Sequence, residues 1–262
     1  AGGGGTTFTL GDASQNVTSG NGADTIDFAG LSADGVVTTN AADTLVLDEG
    51  ADISLVDAEG NGAGTAFTAN AMTLTTERTG GAGGNTDGSR VTMSVAQHNS
   101  VTITAGGTAD QITLSDAGTL TGVAAVETYV LAGGGGTTFT LGDAGQSVTG
   151  GSAADIINTG SLTSLTGDID GGAGANKLVT GANLDISGAN SFANIQTIEI
   201  GGDFSLAVTR AQLDAIAITE VGGTGGSSIN ISSDGASADK FELSASASLD
   251  ISASAVSIGF LD

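Results

Sequence analysis

Cysteine, proline and tryptophan are all missing from this chain of 262 residues, and histidine and tyrosine occur once each. Without cysteine there are no disulfides and no thiolate chemistry, whatever the compartment. Forty-five glycines with no proline exclude a collagen-like repeat, and an apolar fraction of 39% is too high for a disordered linker. Aromatics at 3% argue against a bulky globular core. Basic residues are scarce too, five against 29 acidic ones, giving a net charge of −24. Such a chain repels nucleic acid and anionic membranes. No apolar run approaches 18 residues, so no membrane-inserted helix is expected. His98 is the lone candidate for a Ser-His-Asp triad and has no supporting motif. Beside Asn99, it is expected on the surface. No secretory signal is visible, and Ala1 in place of Met leads to the expectation of a processed or excised chain.

What the chain does have is an internal copy. AGGGGTTFTLGDASQNVTSGNGADTID (1–27) returns at 132–158 as AGGGGTTFTLGDAGQSVTGGSAADIIN, identical at 20 of 27 positions. A match of that length means duplication, so the fold is read as a repeat, with two units at 1–131 and 132–262. Later segments agree: ADTLV (42–46) with ANKLV (175–179), and ADQITLS (109–115) with ADKFELS (238–244). The offset drifts and recovers, as it does when elements of fixed size are joined by loops of variable length. The remaining composition of Gly, Ala, Ser, Thr, Asp and Val suits short stacked strands and tight turns.

The glycine-rich turns carry the most specific pattern. In SGNGADTID (19–27), Gly20 and Gly22 permit a tight turn whose carbonyls converge, Asp24 supplies a carboxylate, and Ile26 enters the next strand. A hard cation such as calcium takes six to eight oxygens from this kind of mixture. The nonapeptide resembles the G-G-x-G-x-D-x-U-x repeat of the RTX (hemolysin-type) calcium-binding family, with Ser19 replacing the first glycine. Weaker versions end at Asp43-Thr44-Leu45, Asp110-Gln111-Ile112, Asp155-Ile156-Ile157, Asn176-Lys177-Leu178 and Asp239-Lys240-Phe241. The turn before Asn176 keeps Gly171, Gly172 and Gly174 and is preceded by Asp168 and Asp170, but has an amide where the repeat has a carboxylate. The resemblance implies calcium held by Asp24, Asp43, Asp110, Asp155, Asp168, Asp170, Asn176 and Asp239 with Gly20, Gly22, Gly172 and Gly174.

Successive endings are 19, 67, 45, 21 and 63 residues apart, each near a multiple of 21 or 22. This predicts an all-β, right-handed parallel β-solenoid (β-helix or β-roll) of about twelve rungs of roughly 21–22 residues. VAAVETYVL (123–131) and FANIQTIEI (192–200) are expected as strands and resemble rungs of RTX-bearing bacterial S-layer proteins. Thr209 with Gln212 has the spacing of a helix capping box, and 94–97 is expected as a shorter cousin, giving one or two decorating helices.

One rung buries too little apolar surface to offset the entropy of ordering it, so rungs must stack. The resulting expectation is an extracellular structural protein at the bacterial cell surface, exported by a type I route. It is a calcium-stabilised building block of a surface layer, sheath or filament. Its partners are copies of itself, head to tail or in a tandem array, with cell-surface polysaccharide as a further partner. Neither nucleic acid nor membrane insertion is expected. The alternative is a spacer in a large RTX adhesin. A polysaccharide-active β-helix enzyme, drawing on Arg210, Asp48, Glu49, Asp57 and Glu59, ranks third because acidic pairs in loops are commonplace at this net charge.

Overall fold

The recurring strand is three residues long: one apolar side chain between two small polar ones, as in Thr7–Thr9, Thr25–Asp27, Thr44–Val46, Thr73–Thr75 and Thr102–Thr104. Side chains alternate across a strand, so the central residue points inward while the β-branched Thr neighbours face out and favour the extended backbone. The computed structural model describes residues 5–12, 15, 17–18, 22–27, 37–38, 44–46, 52–54, 73–75, 88–106, 109–202, 204–213, 216–220, 228–232 and 257–261. They form two compact units, Ala1–Ala132 and Gly133–Asp262. The fold is all-β, with parallel sheets coiled as a β-solenoid.

In the first unit the five strands just named form one parallel sheet. Its register stacks Phe8, Ile26, Leu45, Leu74 and Ile103 in one column, and Thr7, Thr25, Thr44, Thr73 and Thr102 in the next. A second parallel sheet joins Asp52–Ser54, Arg90–Met93, Gln111–Leu114 and Thr128–Val130, with Ile53, Val91, Ile112 and Tyr129 in register. Ile26, Leu45, Val91, Ile112 and Tyr129 are all buried and make up the core.

The second unit repeats the design. Thr138–Thr140, Ile156–Asn158, Lys177–Thr180, Thr197–Ile200 and Ala217–Glu220 stack Phe139, Ile157, Leu178, Ile198 and Ile218. Ser147–Thr149, Asp168–Asp170 and Ser191–Ala193 form a second parallel sheet. A third contains Leu184–Asp185, Ser205–Thr209, Ser228–Ser232 and Ser257–Leu261.

The uniform rung is corrected. About seven turns are supported, where twelve were expected. In the first unit the step between paired strands is 18 residues from Thr7 to Thr25 and 19 from Thr25 to Thr44. It is then 29 from Thr44 to Thr73 and again 29 from Thr73 to Thr102. Register fixes only the short strands, while the turns between them absorb insertions at little entropic cost. The last of these steps includes the helix Val95–Ser100. That helix has the full capping box, with Ser94 and Gln97 exchanging hydrogen bonds. It is longer than the helix Arg210–Leu213, where Thr209 and Gln212 do the same, so the expected order of the two lengths is reversed. The two long strands expected at 123–131 and 192–200 are also corrected. The first is a turn at 123–126 followed by Thr128–Val130. The second is Ser191–Ala193 and Thr197–Ile200, separated by Asn194 at φ +55°, a left-handed position that Asn tolerates.

Candidate functional site: a polar ladder before the strands

Asp24, Asp110, Asp155 and Asn176 each stand immediately before a strand, and the structure gives them a common task. The Asp24 carboxylate accepts the Thr6 N–H at 2.8 Å, 18 residues back. Asp110 accepts the Ser89 N–H at 2.8 Å, 21 residues back. Asp155 accepts the Thr137 N–H at 2.7 Å. Asn176 Oδ1 in turn accepts the Asp155 N–H at 2.9 Å. Every bond joins one rung to its predecessor just where the backbone enters the sheet. Parallel strands leave the N–H at that point without a ladder partner, and burying it unpaired is costly. Asp110, Asp155 and Asn176 are at most 1% exposed.

Two rungs of this ladder were missed in the sequence. Glu127 Oε2 accepts the Asp110 N–H at 2.8 Å, and Gln196 Oε1 accepts the Asn176 N–H at 2.6 Å. Both precede a strand Thr, in Val126-Glu127-Thr128 and Ile195-Gln196-Thr197, with Val126 and Ile195 buried. The readable signal was a carbonyl-bearing side chain just before the strand, not the glycine turn.

Asp155 also spends its second oxygen: Oδ2 accepts the Gly151 N–H at 2.9 Å. At the turn with three glycines, the Asn176 amide nitrogen donates toward the carbonyls of Asn194 at 3.0 Å, Ala173 at 3.1 Å and Gly172 at 3.4 Å. Gly172 at φ +70° and Gly174 at φ +93° give that turn its shape. The amide nitrogen therefore stands among converging carbonyls where a cation would be expected. The donor sets at Asp155 and Asn176 do not fit calcium, since their side-chain oxygens already face N–H groups. Among the described residues no three Asp, Glu, His or Cys side chains are grouped to hold a metal.

Asp168 and Asp170 lie on Asp168–Asp170, away from the ladder. Asp168 is exposed, and Asp170 accepts the Gly172 N–H at 2.8 Å and the Asn194 side-chain N–H at 2.7 Å. Gly22 is half-buried in the turn before Asp24. Gly20, Asp43 and Asp239 lie outside the described residues, as do Asp48, Glu49, Asp57 and Glu59. Arg210 opens the short helix Arg210–Leu213.

His98 is corrected outright. It is only 5% exposed, and its Nε2 is 3.1 Å from the hydroxyl of the wholly buried Tyr129. Burial lowers its pKa, with Asn99 opposing weakly, and pushes the Tyr129 hydroxyl up to about 12 against a smaller effect of the Val123 N–H. The chain's single imidazole and single phenol are thus a packed core pair.

No family model, curated protein or solved structure matches the chain.

Proposed function

We propose that this chain is a structural β-solenoid, an extracellular building block of a bacterial surface layer, sheath or filament. One observation carries the reading. The acidic and amide side chains at the glycine turns, the best chemical candidates in the sequence, are spent on tying one rung to the next. A ladder of that kind makes a stiff element from small residues and few aromatics. The extracellular setting and type I export follow from the resemblance to RTX proteins. Calcium enters through that resemblance and through the sequence of 19–27, and the proposal places no ion at Asp155 or Asn176. Cell-surface polysaccharide stays in the reading as an outer partner for the Ser- and Thr-rich faces.

Electron microscopy and light scattering of the full chain test this reading, with calcium and with chelator. Rods or lattices that grow with protein concentration are expected. A chain that stays single in every condition is a spacer, and overturns the building-block reading.

A further inference from the structure

The first rung of each unit is built from the same thirteen residues, AGGGGTTFTLGDA. The two are made alike in detail. Phe8 pairs in register with Ile26 as Phe139 does with Ile157. The Thr6 and Thr137 N–H groups go to Asp24 and Asp155 at 2.8 and 2.7 Å. Gln15 Oε1 accepts the Gly11 N–H at 2.7 Å, and Gln146 Oε1 accepts the Gly142 N–H at 2.9 Å. Leu10 and Leu141 are equally buried, at 3% and 4% exposed.

They differ in cover. Phe8 is 40% exposed and Phe139 is 0% exposed. Thr6 and Gln15 are exposed, whereas Thr137 and Gln146 are 1% and 2% exposed. Thr7 and Thr9 are exposed, whereas Thr138 and Thr140 are half-buried. Among the described residues Thr7–Thr9 is the outermost strand of its sheet, paired only with Thr25–Asp27. An unpaired strand edge with an apolar centre is a template for another strand.

We propose that the edge built around Phe8 is a docking surface for a second copy of this chain. This rests on the structural reading above and names the surface it uses. The occupant follows from the comparison of the two units: the same rung is fully covered at 139, so the cover that fits at 8 has the chemistry of this solenoid. That chemistry is a parallel strand with an apolar centre between small polar residues, which the chain presents throughout its long sheets. Ser257–Leu261 ends its own sheet in the same way, paired only with Ser228–Ser232 among the described residues. Unlike edges meeting head to tail give an open, growing assembly. The like charge of −24 opposes the contact, so salt of about 0.15 M or more favours it by screening. Covering Thr6 has its own cost, since the Thr137 hydroxyl is buried without a partner.

The chain has no tryptophan, so Phe8→Trp places a single reporter at the edge. Its emission is expected to shift to the blue as protein concentration rises in salt. Phe8→Ser is expected to weaken self-association by about tenfold or more. Ile156→Ser, at the other exposed large apolar side chain, is expected to leave association unchanged, with circular dichroism confirming that both variants fold. Assembly that survives Phe8→Ser overturns this surface but leaves the structural reading standing. A wild-type chain that never associates overturns both. An unshifted emission from a Phe8→Trp chain that does associate overturns the docking edge alone.

Discussion

His98 Nε2 lies 3.1 Å from the Tyr129 hydroxyl, and the two rings meet edge to face with centroids 5.7 Å apart. The Tyr129 oxygen also accepts the Val123 N–H at 2.9 Å. With that lone pair filled, the phenolic proton is directed at Nε2. The hydrogen-bond pattern therefore assigns the ring proton to Nδ1, which faces Asn99 Oδ1 at 3.5 Å. The helix Val95–Ser100 is thereby tied to the strand Thr128–Val130 through the core.

Acid should loosen this tie. The His98 pKa is lowered in the fold by burial, so below its ordinary value of 6.5 the unfolded chain takes a proton that the folded chain resists. The stability due to neutral His98 is complete above pH 6.5. It declines as pH falls below that value and is lost once pH passes the folded value. The slope is at most about 1.4 kcal/mol per pH unit. Urea titrations of wild type and His98→Gln between these limits check it, because the carboxylates are common to both chains. A constant difference between the two chains across that range contradicts the prediction.

Alkali acts on the partner. Tyr129 ionises at about 12 in the fold against 10.0 when unfolded. Above pH 10 the unfolded chain has lost a proton that the folded chain keeps, so stability falls as pH rises, by about 2–3 kcal/mol at pH 12. Tyr129→Phe should remove this alkaline limb. At neutral pH it should cost about 1–3 kcal/mol, because the Val123 N–H loses its acceptor. Thermal melts from about pH 7 to 11 read both effects.

The ladder makes unequal demands on its members. Asp155→Ala leaves the Thr137 and Gly151 N–H groups without their acceptor, the first of them buried. It should cost about 2–4 kcal/mol. Asp24→Ala frees the N–H of exposed Thr6, which water can satisfy, and should cost about 1 kcal/mol or less. The Asp155 loss should be the same in calcium and in chelator. Equal losses at the two positions, measured in urea, would show that burial does not set the strength of a rung.

Much of this architecture was legible in the sequence. The copy at 132–158 announced a repeat, and the apolar residues that follow the turn Asp or Asn, namely Ile26, Leu45, Ile112, Ile157 and Leu178, all enter the core as expected. The ladder was legible in position but not in role. One carboxylate per rung, set before a strand, lies within reach of a cation in the turn and of an N–H one rung back, and spacing alone does not choose between them. Glu127 and Gln196 escaped because no glycine turn precedes them. His98 was misplaced for another reason: its partner is 31 residues away, and no local pattern reports a contact made by coiling. The rung count failed because the 29-residue steps carry inserted chain that average spacing treats as further rungs.

Asn176→Asp separates the two roles. In the wild type the amide nitrogen faces the carbonyls of Gly172, Ala173 and Asn194, while Oδ1 holds the Asp155 N–H. A carboxylate here keeps the acceptor for Asp155 but turns a second oxygen toward three carbonyl oxygens at a position that is 1% exposed. Without a cation this puts like partial charges together in a dry site. The variant should lose about 3 kcal/mol or more. With a carboxylate in place, the same carbonyls complete an oxygen cage, so millimolar calcium should raise the melting temperature of Asn176→Asp by more than that of the wild type. Differential scanning calorimetry in calcium and in chelator reads both values. A variant as stable as the wild type in chelator would mean that the amide is not what holds the turn.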